Sequence, residues 1–448
     1  MMRNALSVMP LLLTRRTFAG VPAMLTMLAF MASASLFLLV TGGLWAFLHW
    51  NPPGAGDVVE VYRILAALAT VLLVIPAASL GMASAKLSAR RHDQRLSTLS
   101  LMGASTATIT ILAIAEPLVL ATVGLITGIG GYFLLLVPVS QIPFQGAGLG
   151  FENMMLPLWL MTVVLAGLLL ICLISNLTGL RRVSISPLGV RARALDRTFP
   201  LIRIIVAVAV GGLLFAGITA VKMVPLEGGI IAAILLSVVA GGFLVVNVIG
   251  VLVVRLIAHL RAKRAQTAEK LIAARMLSDE PKQYWRRASG IAMTAFIATF
   301  AGTGVALMQS TDQPYMTPAE MLLAADVRTG VLLTLGISFV LITVSAVLNQ
   351  AVDIYDRRDT YETLGAAGMQ PATMHRINVA AVMTPIVWVS AIAASIGLLL
   401  VAPLAGFAMV TSPATMGIML ASIVLGALIV RAGLSLTRPL TGRMALAA

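Results

Sequence analysis

The chain has 448 residues, 59% of them hydrophobic and only 11% charged, with a mean hydropathy of +1.00. That balance excludes a soluble globular protein, because hydrophobic cores stop growing near a few hundred residues and cannot hide so much apolar surface. The formal net charge of +14 raises nucleic-acid binding as a function, but the positions of the charges point to a membrane instead.

Apolar stretches recur at about 21–49, 62–84, 107–137, 155–179, 202–224, 229–254, 289–308, 328–351, 377–402 and 413–431. Each is near the 20 residues or so that a helix needs to cross a bilayer core of roughly 30 Å. With the first residues placed inside, 28 of the 31 Lys and Arg fall on one side, and only Arg63, Lys222 and Arg328 fall on the other. This is the positive-inside bias. It predicts ten spans, both termini cytoplasmic, and a multi-pass protein of the cell (plasma) membrane, with membrane lipids as neighbours and no nucleic-acid partner.

Taken in order, residues 1–20 alternate basic and apolar and suit a helix lying along the inner surface. The run from Val21 continues past Ala32-Ser33-Ala34, which predicts a retained first span rather than a cleaved signal. Pro76 predicts a kink in the second span. A basic, polar segment at 86–103 (KLSARRHDQRLSTLSLMG) then leads into the third span. That span, 107–137, would be about 46 Å of helix, so it must tilt or project beyond the bilayer core. Spans five and six, about 202–254, have no counterpart elsewhere in the chain. The loops on the poorly charged side are all short, which leaves no room for a large extracellular domain.

The second half repeats the first. Arg15-Arg16 matches Arg286-Arg287, and Pro187-Leu188 with Arg191 matches Pro439-Leu440 with Arg443. Between them, Leu96, Leu99 and Gly103 recur as Tyr361, Leu364 and Gly368 with the same spacing. That spacing puts two side chains and a glycine on one helical face. A glycine there either admits a close neighbour or ends the helix. Two such segments, 86–103 and 356–370, read as paired cytosolic handles.

Glu116 is a carboxylate inside a long apolar span, where an ionised group costs several kcal/mol unless it meets a partner or stays protonated. Pro117 follows it, and Pro385 sits in the corresponding later span; both are hinge candidates. Gly124 and Gly128 form a small-xxx-small face for close helix packing. Asn176, Asn247, Asn349 and Gln350 read as interfacial side chains near span ends. Cys172 has no partner for an internal disulfide and reads as a small core residue. The four histidines are scattered without ligand spacing. No phosphate-binding G-x-x-x-x-G-K-[ST] loop, nucleophile elbow or paired-carboxylate motif is present, so the chain reads as non-catalytic.

These features resemble the FtsX/MacB-type (type VII) permeases, the membrane subunits of one class of ABC transporters. Leu99, Gly103-Ala104, Glu116, Gly124 and Gly128 stand in the register of that family's signature, and Ser186-Pro187-Leu188…Arg191 resembles its close. Arg95 and Thr360 replace the usual acid of the coupling helix, although Glu362 lies nearby. Ala381 stands where the second glutamate would be, and only Gly397 matches the later glycines.

The resemblance implies an all-α polytopic protein of ten transmembrane helices in two four-helix cores. Residues 1–200 would form the first core, with coupling helix 86–103. Residues 201–262 would be a linking helix pair, and 263–448 the second core with coupling helix 356–370. It also implies two copies of a separate cytosolic ABC ATPase that bind ATP and Mg, so this chain would hold no cofactor or metal itself. The ATPase-coupling positions would be Arg90, Arg91, Leu96, Leu99, Gly103, Arg357, Arg358, Tyr361, Glu362, Leu364 and Gly368. The expected cargo is an amphipathic or lipid-like molecule, a hydrophobic drug or an antimicrobial peptide. The alternatives are a signal transmitter that controls a partner protein and an ion-coupled secondary transporter.

Overall fold

A computed structural model describes residues 21–51, 58–73, 80, 106–184, 212, 228–310 and 318–445. The expected first coupling segment, 86–103, and with it Arg90, Arg91, Leu96, Leu99 and Gly103, lies outside the described residues, and the expected span 202–224 is described only at Gly212.

The described chain is almost entirely helical. Its helices are α1 (Val21–His49), α2 (58–73), α3 (Thr106–Ser140), α4 (Phe151–Met154), α5 (Leu158–Ser184), α6 (Gly228–Lys263) and α7 (Ala268–Asp279). They continue as α8 (Pro281–Ser310), α9 (Pro318–Asp356), α10 (Arg358–Ala366), α11 (Pro371–Leu400), α12 (Ala402–Thr411), α13 (Pro413–Ser435) and α14 (Arg438–Ala445). Among the described residues seven helices are long and apolar enough to cross a membrane: α1, α3, α6, α8, α9, α11 and α13. The chain is a multi-pass membrane protein. The apolar part of α5, Leu158–Ile174, is shorter than these, and the expected second span is described only at 58–73 and Leu80.

The helices overrun the expected spans, and one composition explains it. Both α3, with 35 residues, and α9, with 39, would be over 50 Å long at about 1.5 Å per residue. Each is longer than a bilayer core of roughly 30 Å. Helix α3 runs without a break through Pro117 and Pro138, and α11 through Pro385.

Small residues set the packing. Helix α1 lies along α3 because α3 offers glycines where α1 presses closest. A Cβ on Gly124 would sit 2.6 Å from the Met27 carbonyl oxygen, and one on Gly128 would sit 2.5 Å from the Ala34 Cβ. The Ser35 hydroxyl spans the contact, donating to the Gly128 carbonyl at 3.0 Å. Without a hydrophobic drive between helices in lipid, such close backbone approach and interhelical hydrogen bonding are what hold a pair together.

In the second half α8 packs on α11 in the same manner. A Cβ on Gly397 would lie 2.2 Å from the Thr299 hydroxyl. Helix α8 is the most deeply buried span, with Ala288, Ala292, Ala295 and Ala298 at its contacts with α6, α9, α11 and α13. The two halves meet where Leu341, Leu348 and Val352 of α9 pack against Ala29 and Leu36 of α1 and Leu73 of α2.

Two ends of the bundle differ in chemistry. One carries Arg255–Arg287, Arg357–Arg376 and Arg431–Arg438, and is called the basic end below. The other, the far end, carries a two-strand hairpin in which Pro143 pairs with Gly148 and Phe144 with Ala147.

Candidate coupling site

The basic end is built around α10. Helix α9 stops at Asp356, and α10 begins two residues later after Arg357, whose backbone is no longer helical. Nine residues are too few for a helix to persist alone in water, so α10 depends on what it packs against. Tyr361 turns inward and is only 5% exposed, packed with Ala351 and Ile354 of α9, Met374 of α11 and Leu440 of α14. Its hydroxyl accepts a hydrogen bond from Asn378 Nδ2 at 2.5 Å. Burial pushes the phenol above its ordinary pKa, against the opposing pull of the Asn378 bond and Arg357. Leu364 packs into the same cluster, and Leu25 of α1 joins it from the first half.

The opposite side of α10, at Thr360, Thr363, Ala366 and Ala367, is exposed. The face that sequence spacing singled out, Tyr361 and Leu364, is therefore the seat of the helix rather than its open side. Glu362 and Arg357 are partly exposed beside it, and the backbone of Arg358 opens the helix.

Gly368 closes it. Its φ is +86°, and the Met369 N–H reaches the Leu364 carbonyl at 2.9 Å while the Gly368 N–H reaches Gly365 at 2.9 Å. That paired bonding is the Schellman cap, which wants a left-handed residue just past the helix. Nothing lies within 4 Å of a Cβ built there, so the glycine serves backbone conformation and not close approach. Gly368→Ala is expected to cost about 1–2 kcal/mol, the strain of a left-handed L-residue. Gly368→Asn should cost less, since Asn tolerates that region. Amide hydrogen exchange across 358–369 reads the difference; equal protection in wild type and both variants would remove the cap from the account.

Beneath α10 lies a buried polar cluster that ties α8 to α9. Arg287 holds Asp353 through both guanidinium nitrogens, with Nη1 paired to Oδ2 and Nη2 donating to Oδ1 at 2.6 Å. The side chains are 8% and 18% exposed. The Arg287 guanidinium also lies over the Tyr284 ring, 5.2 Å from its centroid. Gln283 bridges outward, its Nε2 donating to Glu280 Oε2 at 2.7 Å and its carbonyl accepting from Arg287. Arg357 at the start of α10 stands 4.0 Å from the same Glu280 carboxylate. Gln350, 2% exposed, points into this cluster with no hydrogen-bond partner for its carboxamide, and is not the interfacial side chain its position near a span end suggested.

Glu116 is 6% exposed within α3, about two turns before the first of the glycines that meet α1. Ala381, at its counterpart position in α11, is 1% exposed. Pro385 is buried, and the residue before it, Thr384, accepts a hydrogen bond from Arg261 of α6 at 2.8 Å.

The far end holds a second clamp that the sequence did not announce. The hairpin turn is Gln145-Gly146, with φ of 51° and 78°. Two left-handed central residues suit the right-handed twist of a two-residue hairpin, but the first is not glycine, and the strain needs support. Asp326 of α9 gives it: Oδ2 accepts from the Gln145 N–H at 2.7 Å and from the Tyr62 hydroxyl at 2.5 Å. Gln145 Nε2 in turn donates to Tyr62 at 2.7 Å and to the Ala319 carbonyl at 2.8 Å. Phe47, Trp50 and Phe144 surround Tyr62, a grouping of aromatics suited to a membrane–water boundary. The clamp joins the first half to the second. Asp326→Ala would leave the Gln145 N–H and Tyr62 hydroxyl without their acceptor, at a cost of about 2–4 kcal/mol. Cysteine cross-linking between 145 and 319 should then fall sharply, whereas unchanged cross-linking would mean the hairpin is held by its apolar neighbours alone.

Among the described residues no group of three or more metal-ligating side chains occurs.

Residues 66–187 match the family described as FtsX-like permease C-terminal. The match encloses Leu99, Gly103, Glu116, Gly124 and Gly128, the residues on which the resemblance rests, and bears that resemblance out. No curated protein matches the chain.

Proposed function

We propose, from the permease domain matched at residues 66–187, that the chain is the membrane subunit of an ATP-driven ABC-type transport system. Families of this kind are transport membrane subunits and generally non-catalytic. The reading is carried by one observation: α10 is pinned to three helices on its inner side and open on its outer side at the basic end. A rigidly seated helix with a free face can receive a push from a soluble partner and hand it to α9 and α11. Two cytosolic ATPase copies, which bind the ATP and Mg, would press on this helix and on segment 86–103. Both termini and the basic end then face the cytoplasm, as the charge bias requires.

The same reading makes residues 1–200 and 263–448 two cores of one covalent pair, linked by 201–262. The glycine-lined contact of α1 with α3, matched by that of α8 with α11, supports it. Cargo would be amphipathic or lipid-like and taken from the bilayer or its outer face, because the segments joining the apolar runs on that side are short in the sequence. In mechanical terms, pressure on the coupling segments is transmitted to the far-end clamp, which opens and closes beside the cargo.

The test uses the full chain co-expressed with its candidate ATPase. Ala366→Trp and Ala367→Trp, both on the open face, should abolish retention of the ATPase on affinity-tagged permease while membrane insertion persists. Normal retention by both variants would overturn the coupling role of α10.

A further inference from the structure

A cavity of about 440 Å³ opens between α6 and α8 at the basic end. Lys282, Arg286 and Ser289 line it from α8. Their spacing of four and three residues places them on one helical face. Lys282 also stands in the first turn of α8, where the helix dipole favours an anion. Asn247 lines it from α6, about two turns before Arg255 begins the basic segment. None of the lining residues is acidic.

The inner wall is built rather than incidental. Trp285 is 5% exposed, and its Nε1 donates to Asn247 Oδ1 at 3.1 Å. The indole fits only because residue 250 is glycine: a Cβ there would lie 2.1 Å from the ring. Val248 and Val251 supply the apolar part of the α6 wall, beside Gly250 and so level with Trp285. Cations and a hydroxyl on α8, an indole wall and valines on the facing side of α6, all beside the bilayer, match one ligand chemistry. It has an anionic phosphate ester at the interface and hydrocarbon beneath it.

We infer that the α6–α8 cavity binds one anionic phospholipid, its phosphate between Lys282 and Arg286 and its acyl chains against Val248 and Val251. The inference needs the membrane setting and the basic end at a leaflet surface; it does not depend on an ATPase partner. A lipid held there would wedge α6 to α8 just beside the Arg287–Asp353 cluster.

Each cation near an anionic lipid headgroup strengthens binding about fivefold, so losing two weakens it about 30-fold. The experiment is native mass spectrometry of the intact, delipidated chain titrated with phosphatidylglycerol and, separately, with phosphatidylcholine. Wild type should keep one phosphatidylglycerol in preference to phosphatidylcholine. The pair Lys282→Gln/Arg286→Gln should lose that preference about 30-fold. The pair Lys282→Arg/Arg286→Lys should keep it, and so should Lys270→Gln/Arg275→Gln, which removes equal charge from the exposed face of α7. Equal loss in the α7 pair would reduce the effect to bulk charge and overturn the site. Displacement of the bound lipid by millimolar inorganic phosphate would identify a soluble-anion site and overturn the lipid assignment.

Discussion

Asp353→Ala is expected to destabilise the bundle by about 3–5 kcal/mol, because it leaves the Arg287 guanidinium charged, buried and without its carboxylate. The geometry justifies the upper part of the scale: both nitrogens of the fork are engaged, and the two side chains are largely shut off from solvent. Surface ion pairs are worth a fraction of this. The comparison that isolates the charge is Arg287→Met/Asp353→Leu, which removes both partners and keeps the volume. It should recover most of the loss, since well-packed apolar replacements of buried ion pairs are often neutral or better. Unfolding in detergent micelles measures both. An Asp353→Ala midpoint within about 1 kcal/mol of wild type would show that water reaches Arg287 and stands in for the carboxylate.

Tyr361→Ala is expected to release α10 from the bundle without unfolding the spans. Truncating a buried aromatic costs about 3–5 kcal/mol, and here the whole cost falls on a nine-residue helix with no independent stability. Exchange protection of residues 358–366 should drop by more than a hundredfold while the spans keep theirs, a local opening in the sense that folded proteins open piecewise. Tyr361→Phe keeps the ring and strands Asn378, so it should lose only about 1–2 kcal/mol. If α10 receives the ATPase, Tyr361→Ala should still admit the partner to the membrane but uncouple its ATP hydrolysis from transport. Protection of α10 in Tyr361→Ala equal to wild type would show that Leu364 and Leu440 hold the helix without the tyrosine.

Seven of the ten expected spans were legible because hydrocarbon imposes length: α1 begins and ends at the residues where the apolar run does, and α13 starts at its run's first proline. The packing glycines were legible in kind, since Gly124 and Gly128 one turn apart announce close approach, though not that Met27 and Ala34 are what approaches. The orientation of Tyr361 was not. Spacing defines a helical face but cannot say whether the bundle or the solvent covers it, and that is decided by Ala351, Met374 and Leu440, which are distant in sequence. Asp326 and Asp353 were also passed over. Single carboxylates near the ends of a long apolar helix read as interfacial until a partner 181 residues away, Gln145, or 66 away, Arg287, is brought to them. The Gln145-Gly146 turn carries a weak signal because its first residue pays strain that only tertiary contacts relieve.

Asp326 and Asp353 stand on one uninterrupted helix, about 40 Å apart along its axis. Each is fastened to something other than its own helix, so α9 behaves as a seesaw beam with a tether at either tip. A lean of about 10° about its midpoint would swing the tips by several ångströms in opposite senses, far more than a hydrogen bond of 2.5–2.7 Å can stretch. The beam can therefore lean only by snapping one tether, or by carrying the hairpin or α8 along with it. A displacement of the beam at one end is thus felt at the other, as a broken tether or as movement of whatever that tether holds.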